Sequence, residues 1–149
     1  MRFEDANKPV TGEIHLKVYR RGEIVGEVDD HNLVVESARR RLAELAAGKV
    51  SNYSESYITH IGVGSGSTAE NVSDTALENQ QLFPLSSTEV NDRDVKCSFY
   101  IANDEAVGLN IREFGLFCSD GTMFSHRVRQ GVIEKLDDIE IRGYWILHF

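Results

Sequence analysis

Cysteine and basic side chains are both scarce in this sequence of 149 residues. Its 2 cysteines are too few for the disulfide scaffold of a small secreted domain. Because the start of the sequence has no signal-peptide pattern, we expect Cys97 and Cys118 to be free thiols. The 16 lysines and arginines face 24 acidic residues, giving a net charge of −8. This deficit of positive charge argues against binding of a nucleic-acid backbone as the main activity.

Long apolar runs and linker-like stretches are also missing. No run approaches the ~18 apolar residues that a membrane-spanning helix needs, so we expect no membrane span. The sequence has 2 prolines and no stretch rich in Gly, Ser and Pro that would divide it. What is present, 41 % hydrophobic residues, is enough for an ordinary core. We therefore predict one β-rich domain over residues 13–149, preceded by a flexible arm over residues 1–12.

The first part of that domain has the pattern of a hairpin. Apolar and polar residues alternate from Glu13, and Gly22 interrupts the pattern before it resumes up to Val28. This predicts two antiparallel strands over 13–28 with Gly22 in the turn. A third strand is expected at 32–35.

One amphipathic helix is predicted, from about residue 37 to 47. Ser37 is the expected N-cap, and Gly48 is the expected left-handed residue that follows the helix. The apolar side chains that fall on its core face are Ala38, Leu42, Leu45 and Ala46.

The rest of the chain, 57–149, is predicted to be a β-rich core. Strands are expected at 57–63, 95–101, 111–117, 123–128 and 139–149, with Asp120-Gly121 as a hairpin turn. A short helix from Ser73 to Gln81 is also expected. These elements together predict an α+β fold, mainly antiparallel β and sandwich-like, with one principal helix.

No motif in the sequence points to catalysis. Residues 64–69 match the pattern G-x-G-x-x-A of dinucleotide sites, but acidic and polar residues follow where a helix would have to begin, so we expect a loop. There is no P-loop and no nucleophile elbow. Cys97 lies in an alternating apolar row and is expected to be buried and inert.

Metal-binding and acid–base patterns are likewise missing. The histidines are scattered and show neither the i,i+4 spacing of a helical zinc site nor an accompanying C-x-x-C: His15, His31, His60, His126 and His148. No pattern selects a pair among the carboxylates Asp92, Asp94, Asp104 and Glu105. We therefore expect no catalytic residue, no cofactor and no metal, and a protein that is not an enzyme.

A family resemblance rests on five segments taken in order: 32–35, 58–66, 73–79, 111–117 and 133–135. The sharpest are the stretch I-T-H-I-G-V-G-S-G and the stretch I-R-E-F-G-L-F. Together they resemble the tail-fibre and tail-collar proteins of tailed bacteriophages, in particular the N-terminal domain that anchors such fibres. The resemblance implies a virion protein of the tail, assembled in the bacterial host cytoplasm. It implies a homo-oligomer, a trimer being favoured, that binds other tail or baseplate proteins.

The two sharpest segments supply candidate residues for a structural motif or a subunit interface: Gly62, Gly64, Gly66, Arg112, Glu113 and Gly115. The first three glycines are expected to permit a tight exit from a strand, and Gly115 is expected to mark a bulge. The Arg112-Glu113 pair is expected to form an ion pair or to face a neighbouring subunit.

Since the sequence stops at Phe149 without a fibre shaft, we expect an adaptor, collar or baseplate-periphery subunit. Two alternatives stay open. One is a decoration protein of the head surface or neck. The other is a small carbohydrate-binding or hydrolytic module that uses loop carboxylates and stacks sugars on Trp145 or on tyrosines. The alternating row around Trp145 favours a core position for that ring.

Overall fold

The computed structural model describes residues 10–149, so residues 1–9 of the predicted arm lie outside the described part. The described part contains the strands β1 (Thr11–Arg20), β2 (Glu23–Val34), β3 (Ile58–Gly64), β4 (Gln81–Pro84), β5 (Ser87–Asn91), β6 (Asp94–Ile101), β7 (Asn110–Cys118), β8 (Met123–Glu134) and β9 (Ile139–His148). It also contains the helix α1 (Glu36–Ala46) and a single 3-10 turn (Tyr53–Glu55). Because β1 begins at Thr11, the last two residues assigned to the arm belong to the sheet.

All nine strands of the described part join in one antiparallel sheet, in the order β4-β3-β7-β8-β2-β1-β9-β6-β5. The long strand β2 connects its two halves. Up to Asn32 it pairs with β1, and at Leu33 and Val34 it pairs with β8 instead. The sheet curls at this point, so that one continuous sheet supplies two packed layers.

The core lies between the two halves of the sheet. Ile14 and Trp145 from one half belong to the same buried cluster as Phe114 and Leu116 from the other, and all four are fully buried. A sheet that buries one face in this way leaves the other face to polar side chains, as the alternation in β1 and β9 shows. The predicted class, mainly antiparallel β with one principal helix, is confirmed.

The first hairpin is present with its predicted turn. Arg21 and Gly22 connect β1 to β2 and both have positive φ, 50° and 83°. Such a pair is typical of the two-residue turns that match the twist of a hairpin. The separate strand predicted at 32–35 is wrong, since Asn32–Val34 continue β2 and Val35 precedes the helix.

The helix is present, but its predicted N-cap is wrong. Val35 occupies the cap position without a side-chain bond, and Ser37 lies inside the first turn. The Ser37 hydroxyl donates instead to the Met123 carbonyl, 2.5 Å away, and so ties the helix to β8. Gly48 follows the helix with a φ of 64°, as predicted.

The core face of the helix differs from the predicted one at two positions. Ala46 is exposed, whereas Arg41 is buried and reaches Asp120 at 2.5 Å in the β7–β8 turn. A cation therefore occupies part of the face on which the sequence pattern placed only apolar side chains.

The short helix predicted from Ser73 to Gln81 is wrong. This segment is a loop in which Asn71 and Asp74 bond to nearby backbone N–H groups, a local alternative to a helix. Gln81 then begins β4, an outer strand of the sheet. Pro84 ends that strand. Proline is tolerated in an edge strand because no further strand needs the N–H group that it lacks. The sequence pattern predicts neither β4 nor β5.

Candidate functional site

The site centres on one buried carboxylate, Glu113 of β7, which is 3 % exposed.

 Its Oε2 accepts hydrogen bonds from the backbone N–H of Gly66 and, at 3.0 Å, from that of Glu78. Gly66 follows β3, and Glu78 lies in the loop before β4. One side chain thus fixes the start and the end of the loop that connects these two strands.

The other oxygen of Glu113 contacts a histidine. Glu113 Oε1 lies 2.8 Å from Nε2 of His126 in β8, and His126 Nδ1 lies 2.8 Å from Oδ2 of Asp74. The imidazole is 4 % exposed and stands between two carboxylates. We call Asp74, Glu113 and His126 the carboxylate–histidine cluster. As an imidazolium, His126 donates one hydrogen bond from each ring nitrogen, so that both carboxylates are paired.

Burial and pairing act in opposite directions on these groups. Burial lowers the pKa of His126, but hydrogen bonds to Glu113 and Asp74 outweigh it, and the net pKa is raised above 6.5. Burial raises the pKa of Glu113, but the bonds from His126 and from the N–H groups of Glu78 and Gly66 lower it below 4.5. Both shifts favour the charged forms.

This arrangement is suited to holding the fold together. Both nitrogens of His126 already contact carboxylates, so the ring has no free lone pair with which to take a proton from a substrate. Beside the cluster lies a cavity of only about 110 Å³. Within residues 10–149, no group of three or more His, Cys, Asp or Glu side chains is placed to hold a metal ion.

The glycines of the two sharpest segments are needed for space. Gly62 and Gly115 lie opposite each other in β3 and β7, and the ring of Phe117 covers both. A Cβ would stand 2.5 Å from Phe117 Cε2 at Gly62 and 2.7 Å from it at Gly115. At Gly66 a Cβ would meet the Glu113 carboxylate at 2.2 Å, and at Gly64 the Glu78 carbonyl at 2.7 Å.

One expectation for these glycines takes a more specific form and another is wrong. The exit from β3 is tight at Gly64 and Gly66 because no side chain fits there, and none of the four glycines has a positive φ. Gly115 is not at a bulge, because the register of β7 against β8 shifts between Ile111 and Glu113 and again between Leu116 and Phe117. Close packing under one aromatic ring explains Gly62 and Gly115 instead.

The expected ion pair between Arg112 and Glu113 is also wrong. Neighbouring residues in a strand point to opposite faces, and here Glu113 points inward to His126. Arg112 is half-buried and lines a cleft together with Arg127 and Arg129. The structure thus separates the two residues into two different charged sites.

The sequence analysis missed two members of the cluster, Asp74 and His126, and also the backbone N–H of Glu78 that donates to Glu113. The one sequence signal for the contact between His126 and Glu113 is the Asp120-Gly121 turn, because the β7–β8 hairpin that it predicts brings His126 opposite Gly115 and close to Glu113. The loop that supplies Asp74 and Glu78 was predicted as a helix, and a helix would have hidden that connection.

A second buried charge lies in the last of the five resembling segments. Lys135 is 1 % exposed, and its Nζ donates to the carbonyls of Asn103 at 3.1 Å and Leu136 at 3.2 Å. Burial lowers the pKa of this ammonium, although four carboxylates around it act in the opposite direction. Lys135 therefore fastens the loop between β6 and β7.

Thiols and the single tryptophan offer no reactive or stacking surface. Both cysteines are free, as predicted, and buried. Burial raises the pKa of Cys97 to about 12 and that of Cys118 to about 11, so neither is a thiolate near neutral pH. Trp145 is 0 % exposed, which excludes it as a platform for a sugar ring.

Comparisons with known proteins add no relative. Neither the protein-family models, nor the curated proteins, nor the solved structures give a match to this chain. Over residues 10–149, no helix has both the length and the apolar character that a membrane crossing requires.

Proposed function

We propose that this protein is a structural virion subunit of a bacteriophage tail or tail-like particle. In this role it is a collar, baseplate-periphery or fibre-adaptor subunit that acts through protein–protein contacts. The observation that carries the proposal is that the segments of the family resemblance contact one another and build the framework of the fold. Three of them, 58–66, 73–79 and 111–117, meet at the Glu113 carboxylate and build one packed unit.

The other two resembling segments have the same kind of use. The backbone N–H of Val35 donates to the Phe124 carbonyl at 3.2 Å, and that of Glu36 donates to the Val72 carbonyl at 2.7 Å. The segment leading into the helix therefore holds both β8 and the loop between β3 and β4. Lys135 holds the β6–β7 loop. Residues that share a motif because they build a framework support an assembly role better than a catalytic one.

Surfaces suited to assembly are present. The outer strand β5 has all five residues exposed, and Val90, its fourth residue, is 76 % exposed. An unpaired edge of this kind can accept a strand of another chain. Tyr53 and Tyr57 form a second apolar patch, with ring centroids 5.6 Å apart and exposures of 70 % and 45 %.

The proposed partners are further copies of this chain, a homotrimer being favoured, and other tail or baseplate proteins. The proposed location is the tail of the virion, after assembly in the bacterial host cytoplasm. Nucleic acid is not among the proposed partners, since the net charge of −8 repels a phosphate backbone.

Electron microscopy of purified particles, combined with their protein composition by mass spectrometry, tests the proposal. We expect the chain in intact tails and its density at the collar or baseplate periphery. Density on the head or neck would replace the proposal by a decoration role. Absence of the chain from purified particles would refute both. Sedimentation of the isolated protein tests the trimer separately.

A carbohydrate-binding role is the second candidate, favoured by one observation. The outer face of β1, β6 and β9 presents Tyr19, Tyr100 and Tyr144 around a groove of about 560 Å³. Arg142 lies 5.1 Å from the centroid of the Tyr19 ring and 5.5 Å from that of Tyr100. Binding on a glycan array that is lost in Tyr100→Ala would support this role, and silence of the wild-type protein on the array would remove it.

A further inference from the structure

Strands β2 and β8 pair over only two positions and then diverge. Leu33 lies opposite His126 and Val34 opposite Ser125, and no further pair joins the two strands. Before Leu33, β2 pairs only with β1, and after His126, β8 pairs only with β7. The space between them is a cleft of about 730 Å³, which we call the fork cleft; its walls include His31, Leu33, Glu70, Arg112, Arg127 and Arg129.

A large bulge shapes one wall of the fork cleft. Ile111 of β7 lies opposite Ile133 of β8, but the next pair is Glu113 with Val128. Residues 129–132 of β8 therefore stand against the single residue Arg112. Bulges re-aim side chains, and this one places both Arg112 and Arg129 in the wall of the cleft.

The chain itself shows what chemistry the fork cleft accepts. Glu70, from the loop after β3, accepts a hydrogen bond from Arg127 Nη1 at 2.9 Å and another from the backbone N–H of Val128 at 3.2 Å. Arg127 Nε also donates to Asp30 of β2 at 2.7 Å. One carboxylate thus already binds to an arginine and to the open backbone edge of β8.

The other two arginines of the cleft have no such partner. Among the described residues, neither Arg112 nor Arg129 forms an ion pair, whereas Arg127 forms two. Burial lowers the pKa of Arg129, and Asp30 only partly offsets that effect. Two half-buried guanidinium groups that form no ion pair among the described residues, in a chain of net charge −8, form a locally basic site.

We propose that the fork cleft binds an acidic, extended segment of a partner protein, whose carboxylates pair with Arg112 and Arg129. An extended segment fits better than a small anion, because β2 presents an open backbone edge along the cleft up to Leu33. The planar guanidinium group of an arginine can donate two parallel N–H hydrogen bonds to one carboxylate. This inference goes beyond the proposed function, since it rests on the geometry of the cleft alone.

Binding of a fluorescein-labelled hexaglutamate peptide, followed by fluorescence anisotropy at low salt, tests the proposal. We expect saturable binding that weakens at least tenfold in the double variant R112Q/R129Q. The matched control is R93Q, because Arg93 is an exposed arginine in the β5–β6 turn, far in sequence from the cleft. Hexalysine carries the wrong charge and is expected not to bind.

A second readout makes the test independent of the variants. Backbone amide NMR shifts of the wild-type protein are expected to change at residues 31–33 and 127–130 when hexaglutamate is added. Absence of saturable binding, an equal loss of binding in R93Q, or shifts confined to other surfaces would overturn the proposal. Inorganic phosphate that displaces the peptide at equal concentration would show a simple anion site and would overturn the extended-segment form of the proposal.

Discussion

The protein has two charged sites within a few residues of each other, and they are built in opposite ways. In the carboxylate–histidine cluster, both ring nitrogens of His126 and both oxygens of Glu113 have partners, and the groups are almost fully buried. In the fork cleft, Arg127 is paired, but Arg112 and Arg129 form no ion pair among the described residues. A site in which every polar atom is satisfied stabilises the fold, whereas one with unmatched charge has binding capacity to offer.

The largest effect is expected from removing the Glu113 carboxylate at the centre of the cluster. Glu113→Ala leaves His126 without one carboxylate and leaves two backbone N–H groups without an acceptor. Removal of one partner from a buried pair costs about 3–5 kcal/mol, so we expect a loss of that size in the free energy of unfolding. Urea denaturation measures it.

A matched control for this change is Glu134→Ala, which removes an exposed glutamate at the end of β8. Its effect is expected to stay within about 0.5 kcal/mol. A loss below about 1 kcal/mol for Glu113→Ala would contradict a cluster that holds three segments together.

The packing around the cluster gives the next largest effect. Gly62→Ala and Gly115→Ala each force a methyl group against the Phe117 ring, and overpacking of a core costs about 1–3 kcal/mol. Gly26→Ala is the control, because its Cβ would stand 3.7 Å from Val18, an ordinary contact. Thermal unfolding of the three variants compares them.

A smaller residue at 117 sharpens the same test. If the Phe117 ring is the obstacle, Gly62→Ala combined with Phe117→Leu is expected to cost less than the sum of the two single changes. Simple additivity in this double-mutant cycle would mean that the cost arises elsewhere.

The pH dependence of stability separates the cluster from the rest of the molecule. Because the pKa of Glu113 is lowered in the fold, its contribution is present above about pH 4.5 and is lost as the pH falls through the lowered value. Because the pKa of His126 is raised, its contribution is present below about pH 6.5 and is lost as the pH rises through the raised value. The cluster therefore stabilises most between these two values.

Each unit of pKa difference is worth about 1.4 kcal/mol, which sets the scale of the expected change. Urea denaturation of the wild-type protein from pH 4 to pH 9 is expected to show a decline on the alkaline side that is smaller in His126→Gln. His15→Gln is the comparison: its hydrogen bond to Asp29 also raises the pKa of His15, but this pair is half-exposed, so a smaller change in the alkaline decline is expected than in His126→Gln. An unchanged alkaline decline in His126→Gln would assign it to other groups.

The sequence could predict those parts of the fold that depend on local pattern. Alternation over β1 and β9, the Arg21-Gly22 turn and Gly48 after the helix are all local signals, and the structure has each of them. The cluster could not be predicted in the same way. Asp74 and His126 are 52 residues apart, and only the pairing of β7 with β8 and the path of one loop bring them together.

The glycines show the same limit from another side. A glycine in a strand indicates that space is short, but the neighbour that fills the space is not written next to it. Gly62 needs Phe117, which lies in a different strand, and the sequence offered backbone freedom as the simpler explanation. Contact partners of this kind follow from register, and a shift by one residue would change them all.

The smallest expected effect tests the other side of the contrast. Arg129 makes no ion pair among the described residues, and burial lowers the pKa of its guanidinium, so the fold gains little from its charge. We expect Arg129→Gln to change the free energy of unfolding by no more than about 0.5 kcal/mol in either direction.

Arg127→Gln is the comparison, because it breaks two ion pairs, with Asp30 and Glu70, and leaves both carboxylates without their cation. Urea denaturation of the two variants is expected to rank Arg127→Gln as clearly the more destabilising. An equal loss for both would mean that Arg129 also has a structural role, and the fork cleft would then resemble the carboxylate–histidine cluster more than a binding site.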